Sequence, residues 1–363
     1  MADEAGRPFR VLTLDGGGMR GLYSASLLRT LARLFDERFV AQEPDLGKSF
    51  ELICGTSTGA ILACALAAGV PLKRVTDLYC ENGHRIFPDH MPKKVECGPL
   101  VRWAYRNRHK PAASAQVLRR CLEQTLGLQT LRELYVSRGI ALCVPAVDAQ
   151  SHKAWVFKTP HVPEKHRDNN YRLVDICMAS AAAPIFFPLS RQQDPDDSHR
   201  IHHFVDGGLW ANNPVMVGLV EALVLAPRDR AIEILSVGTC DQPSGDLHVV
   251  QNPDWGVLDW QFGVTAIDMS LSAQSFGNEH MARFLAGEFS RSGRSITVLR
   301  LEECLKSPDH YSAIGLDRAD QTALKTLVHL AGKDAEQIHG NALAAADSPV
   351  AEVFRNLAAF KAA

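Results

Sequence analysis

The sequence has no long hydrophobic run. Its longest stretch of small apolar residues, Ala60 to Val70, stops at Pro71 after 11 residues, well short of the roughly 20 that a bilayer-spanning helix needs. That stretch reads as a buried helix of a globular protein. The amino terminus, Met1-Ala2-Asp3-Glu4-Ala5, lacks the basic-then-apolar order of a secretion signal, so a mature chain that begins here is expected. The nine cysteines are scattered, odd in number and never spaced as Cys-x-x-Cys. That pattern argues against a disulfide framework or a zinc ribbon and predicts reduced thiols in a cytoplasmic protein. Excess positive charge is also missing: 39 Lys+Arg minus 41 Asp+Glu leaves −2, so there is no net field to hold a nucleic-acid polymer. With 46% hydrophobic and 22% charged residues, the composition is that of a globular chain, not a disordered one. What remains is 363 residues, enough for one large domain or two ordinary ones around a continuous core.

Phe9 to Leu14 is short, apolar and β-prone; it stops at Asp15 and three glycines, and a helical pattern follows through Leu22, Leu27, Leu28, Leu31 and Leu34. The same order recurs at Phe50 to Cys54, then Gly55-Thr56-Ser57-Thr58-Gly59, then the Ala-rich helix that ends near Gly69. Later strands are expected over Ile140–Val147, Ala154–Phe157, Ile201–Val205, Ile232–Val237 and Ile296–Leu301. Helices are expected over Leu173–Ala181, Val215–Leu225, Val257–Leu285 with a break inside, Asp320–Leu330 and Val350–Phe360. Strands alternating with helices predict an α/β fold: a mainly parallel central sheet with helices on both faces, in three α/β/α layers. In such sheets chemistry collects at the carboxyl ends of strands. The alternation breaks at about 82–115, where several prolines stand among Phe87, Trp103, Tyr105 and basic residues from Lys93 to Lys110. This segment reads as a lid or a surface-docking insertion. Gln192–Arg200 and Cys240–Trp255 read as exposed polar loops.

Gly55-Thr56-Ser57-Thr58-Gly59 fits Gly-x-Ser-x-Gly, a sharp strand-to-helix turn that pushes the serine hydroxyl out of the sheet. The helix that starts after Ser57 offers free N–H groups and a positive dipole end to a developing oxyanion. Asp15-Gly16-Gly17-Gly18-Met19-Arg20-Gly21 admits three readings. It is a plain glycine turn, or a dinucleotide fingerprint through Gly16, Gly18 and Gly21 with Asp36 or Glu37 for a ribose, or an oxyanion hole of converging amides. The last explains both junctions together, because a dinucleotide site has no use for a second turn presenting a serine. No histidine of the 14 lies in a local pattern that nominates it as the base. Asp206-Gly207-Gly208, at the end of an expected strand, is the sharper candidate, although Asp-Gly is also a common turn. Asn212-Asn213-Pro214 then opens the next helix with cap chemistry and hydrogen bonds available to the cleft.

Taken in order, Asp15 to Gly21, Gly55 to Gly59 and Asp206 to Gly208 resemble the patatin-like phospholipase family, as do Ala179 to Pro184 and Ser236 to Thr239. The resemblance spans about residues 9–240. It implies a lipid acyl hydrolase with a Ser-Asp dyad: Ser57 as nucleophile, Asp206 as base, and amides around Gly17 and Gly18 as oxyanion donors. Thr58, next after the nucleophile, would add its own N–H. Asp15, Gly16, Arg20, Gly21, Gly55, Gly59, Gly207 and Gly208 support the motifs. Arg20 would orient the loop through carboxylates or meet a substrate phosphate. An aspartate with the ordinary pKa of about 3.9 is a weak base, so burial must raise its proton affinity. The family domain is expected over 9–301, with a helical extension over 302–363 packed on it.

The resemblance implies metal independence, and the sequence offers no Asp-x-Asp-x-Asp-Gly calcium loop, so no metal and no cofactor are expected. A phospholipase made without a membrane span must visit a lipid surface transiently, so peripheral membrane contact is expected. Lys93 to Lys110, with Trp103 and Tyr105, is the segment expected to make it. Some bacterial proteins of this resemblance are effectors switched on by cyclic nucleotides in antiphage defence, so a cyclic nucleotide activator is carried as an expectation. The alternatives are a nucleotide-binding protein using Gly16 to Gly21 and a catalytically silent lipid-binding module.

Overall fold

A computed structural model describes residues 7–92, 97–240, 255–256, 260, 263–304, 306–345, 347–355 and 357. Eight strands form one sheet: β1 (Phe9–Leu14), β2 (Leu52–Gly55), β3 (Ala141–Asp148), β4 (Lys153–Lys158), β5 (Ser190–Gln193), β6 (Ile201–Asp206), β7 (Ile232–Val237) and β8 (Ile296–Arg300). Their order is β5-β6-β3-β2-β1-β7-β8, with β4 paired to β3.

β3, β2, β1, β7 and β8 run parallel. All six residues of β1 are buried, which is why the strand reads as an unbroken apolar run, as a strand covered on both faces should. Its side chains alternate between two cores. Leu12 and Leu14 enter the larger core, beneath the helices Gly21–Phe35, Thr58–Ala68 and Leu173–Ser180. Val11 enters the second core, beneath Val215–Leu225 and Val264–Arg291. These are the three layers expected.

The sheet is mixed, however. Only residues 149–152 link β3 to β4, too few for the crossover that a parallel neighbour requires, and the pair is antiparallel. β6 is antiparallel to β3, and β5 to β6. β5 falls where a polar loop was expected to begin. Ser190 and Gln192 turn inward while Arg191 and Gln193 stay exposed, the polar coat of an edge strand.

The 82–115 segment contains the end of the helix Leu72–Ile86 and a helix over Cys97–Asn107. Trp103 is buried and donates its indole N–H to Asp89 O at 3.2 Å, while Arg106 and Asn107 bind the Asp89 carboxylate. Trp103 is thus a packing residue, which corrects its expected place at a lipid surface. The sequence pattern missed this because an interfacial and a buried tryptophan read alike without their neighbours. Tyr105 stays exposed under the Arg108 guanidinium. Lys93 and Lys94 lie outside the described residues, as do most of the expected 240–255 loop and the first turns of the expected Val257–Leu285 helix.

The carboxyl-terminal helix Gln321–Ala344 packs along Gly21–Phe35. Its Asp334 accepts from Tyr23 Oη at 2.6 Å and from Lys306 Nζ at 3.0 Å.

Candidate active site

β2 ends at Gly55, and the helix Thr58–Ala68 starts two residues later with Ser57 as its N-cap. Ser57 has φ 55° and ψ −119°, the strained elbow expected of a serine thrust out at a strand–helix turn and costing about 1–3 kcal/mol. The flanking glycines are steric necessities. A Cβ at Gly55 would stand 2.1 Å from Gly59 O, and one at Gly59 would stand 2.2 Å from Leu14 O. The second contact shows that the two glycine junctions pack directly on each other.

Pairing along β3 delivers the partner of Ser57. β4 occupies one edge of β3 from Cys143 to Asp148. β2, opposite Ala141 to Cys143, and β6, opposite Ala146 to Asp148, therefore share the other edge and meet end to end. Pro145 stands in the gap between them, where its missing N–H costs no ladder bond on that edge. Asp206, the last residue of β6, thus arrives opposite the end of β2, and Ser57 Oγ donates to Asp206 Oδ2 at 2.7 Å. Asp206 stands at the end of the strand expected over Ile201–Val205, and that strand runs antiparallel to β3 within the mainly parallel sheet.

Burial pushes the Asp206 carboxyl up to about 6, against the lowering pull of the Ser57 hydroxyl and the Gly208 N–H. Gly208 N donates to Asp206 Oδ1 at 2.7 Å and fixes its plane. Ser180, unmarked inside an Ala-rich stretch, links the pieces: its Oγ accepts from Ser57 N at 2.9 Å and donates to Pro145 O at 2.6 Å.

The glycine loop is tied at both ends. Gly16 N donates to Asn212 O at 2.9 Å, and Met19 N to Leu316 O at 2.7 Å. Thr239 Oγ1 donates to Gly16 O at 3.2 Å. A Cβ at Gly16 would lie 3.3 Å from Ser57 Cβ, so the loop lies against the serine, and one at Gly21 would lie 2.0 Å from Thr58 Oγ1. Gly18 has φ +55°, in the left-handed region that favours glycine. Among the described residues, the amides of Gly17, Gly18 and Thr58 donate to no protein acceptor. Arg20 is half-buried, with its charge acting on the buried Cys240 thiol. The ribose partner of the dinucleotide reading is not in place, because Asp36 sits past the far end of the helix Gly21–Phe35 and is paired to Arg38.

Among the described residues the two buried histidines are paired elsewhere. His202 pairs with Asp194 and His161 with Glu221. Cys143, His161 and Glu221 place their donor atoms within 4.8 Å of one another. The His161 and Glu221 donors already serve a buried ion-pair network: His161 Nε2 meets Glu221 Oε1 at 2.9 Å, His161 Nδ1 meets Thr159 Oγ1 at 2.7 Å, and Lys158 binds the other Glu221 oxygen.

Fold and site together define an α/β protein with a serine on a strand–helix elbow, hydrogen-bonded to a buried aspartate beside a glycine loop with free amides. The model of the family described as patatin-like phospholipase matches residues 12–219. The chain belongs to that family. It is 31% identical over 329 residues to a protein of Vibrio cholerae serotype O1 named cGAMP-activated phospholipase, covering 88% of each chain. It is 34% identical over 283 residues to a Pseudomonas aeruginosa protein of the same name, covering 77% of this chain and 76% of that one. Identity to patatin-like protein 1 of Oryza sativa subsp. indica is 30% over 287 residues, covering 71% of this chain and 65% of the relative.

Proposed function

We propose that this chain hydrolyses carboxylic esters of glycerophospholipids, with Ser57 as nucleophile and Asp206 as general base. One observation carries the reading: the hydroxyl on the strained elbow donates at 2.7 Å to a carboxylate pushed up to about 6. A carboxylate near the working pH accepts a proton from an attacking hydroxyl far better than an ordinary aspartate does. In the first half-reaction Ser57 Oγ attacks the ester carbonyl and its proton passes to Asp206. The negative oxygen that develops is held by the N–H groups of Gly17, Gly18 and Thr58, aided by the N-terminal dipole of Thr58–Ala68. Collapse expels the alcohol, a lysophospholipid, which takes the proton from Asp206 and leaves an acyl serine. Water then repeats the sequence and releases the fatty acid. Esters suit a dyad of this kind because their alcohols leave more readily than amines.

Two relatives named cGAMP-activated phospholipase support a cyclic dinucleotide as activator; the role in antiphage defence is the one the family resemblance implies. Among the described residues no helix is long and apolar enough to cross a membrane. Contact with phospholipid is proposed to be peripheral, from the cytoplasm. The proposed catalytic domain is 9–301, with 302–363 as an extension of it, supported by the Tyr23–Asp334 bond.

The test is fluorophosphonate labelling with mapping of the modified residue, alongside turnover of a fluorescent phospholipid with and without cyclic dinucleotide. Label on Ser57, and loss of turnover in Ser57→Ala and Asp206→Asn, are expected. Undiminished hydrolysis by Ser57→Ala would sink the reading.

A further inference from the structure

The last third of the chain carried no motif, yet β8 sends one side chain back into the glycine loop. Arg300, the final residue of β8, lies opposite Ser236 of β7, and β7 in turn pairs with β1, which ends just before Asp15. Arg300 reaches across the end of β7. Its Nη1 donates to Ser236 Oγ at 2.9 Å, and its Nη2 meets Asp15 Oδ2 at 2.6 Å. The Asp15 side chain is fully buried, and that of Arg300 is 16% exposed. Gly238 clears the way for the guanidinium: a Cβ there would stand 2.6 Å from Arg300 Nη2 and 2.4 Å from Glu303 Oε1. Burial alone would disfavour the charged guanidinium, but Asp15, Glu303 and Glu279 outweigh it and hold the charge firmly in place.

We propose that Arg300 is a positioning residue for ester hydrolysis: by gripping Asp15 it aims the amides of Gly17 and Gly18 at the oxyanion formed on Ser57. Asp15 immediately precedes the three glycines, and its N–H is still tied to Val237 O at 3.1 Å. Its carboxylate is therefore the side-chain anchor at the start of the loop, next to the backbone bonds that Gly16 makes to Asn212 O and Thr239 Oγ1. Glycines have no side chains by which the middle of the loop could be held, so its aim must be set from its ends. One end is the Met19 N–H on Leu316 O; at the other, the Gly16 bonds to Asn212 O and Thr239 Oγ1 are joined by the carboxylate that Arg300 holds. A planar guanidinium can bridge Ser236 and Asp15 at once; an ammonium, as a point charge, cannot hold both in a fixed plane.

The proposal rests on the catalytic reading above, and the experiment separates the two. Wild type, R300K, R300M, D15N and D15N/R300M, each as the full chain and each confirmed as folded by its cooperative thermal transition, are assayed with a soluble short-chain ester. Second-order labelling of Ser57 by a fluorophosphonate is measured in parallel. The expectation for R300M is a kcat loss of about 100-fold, the size seen when one oxyanion donor is lost, with KM moved by less than about twofold. R300K and D15N should each lose about tenfold. The double variant should be no worse than R300M, because both changes act through one contact. Labelling rates should fall with kcat. An ion pair serving stability alone would lower the thermal midpoint and leave kcat untouched. The proposal is overturned if any folded single variant keeps wild-type kcat, or if the two losses multiply in the double variant. If R300M does not fold, R300K and D15N decide. Failure of wild type to label at Ser57 would instead remove the catalytic reading itself.

Discussion

Asp206→Asn should stabilise the protein while it destroys the activity. The buried carboxyl is raised from 3.8 to about 6, which at neutral pH corresponds to a charged form that costs the fold about 3 kcal/mol. The sign follows from proton binding. Between about pH 4 and 6 the native state holds a proton that the unfolded chain has released, so the contribution of this group to stability falls as pH rises through that window and levels off above it. The penalty is absent below pH 4, where both states are protonated. A neutral carboxamide never carries it. The amide oxygen that the substitution leaves can still accept from Ser57 Oγ or from Gly208 N, the two groups that contact the wild-type carboxylate. Urea unfolding of wild type and variant at matched pH values from 3.5 to 8 isolates the effect, since every other titrating group is common to both. The midpoints should coincide at the acid end, separate between pH 4 and 6 and stay apart above it, with the variant the more stable. A variant that is less stable at pH 7.5, or a gap that does not change with pH, would refute the claim that burial, uncompensated by its hydrogen bonds, sets the proton affinity of this carboxyl.

The same group predicts that kcat/KM on a soluble ester rises with pH through an apparent value of about 6 and then levels off; a flat profile from pH 5 to 8 would exclude Asp206 as the base. Ser57→Ala removes the hydroxyl that lowers the Asp206 carboxyl, so its titration, followed by carboxyl infrared absorption against an Asp206→Asn blank, should move upward. Gly59→Ala pushes a methyl to 2.2 Å from Leu14 O and should destabilise by about 1–3 kcal/mol. Gly287→Ala, in a helix with nothing within 4 Å, should stabilise by about 0.5–1 kcal/mol in the same denaturant assay; equal effects at the two sites would contradict the packing described.

The elbow, the glycine loop and the layered α/β architecture were legible in the residues because each follows from local chemistry. Strand residues that are apolar on both faces can only be central, and a serine between glycines at a strand–helix boundary has few conformations open to it. Val215–Leu225 and Ile232–Val237 have the bounds expected, since periodicity and punctuation agree there. β5 was missed because edge strands are polar and short, and the tryptophan of the 82–115 segment was misplaced because burial is a property of neighbours.

By itself the sequence determined which groups are available: a hydroxyl on a turn, three successive glycines, and a carboxylate followed by glycines. Only the tertiary structure decided that β2 and β6 share one edge of β3, so that residues 149 apart in the chain come to lie 2.7 Å apart. The same is true of Arg300, which reaches Asp15 across β7. The physical reason is that local sterics and hydrogen bonding depend on adjacent residues and are written in the order of the chain. Proton affinity and strand pairing depend on what the rest of the molecule places beside a group, and no local pattern carries that.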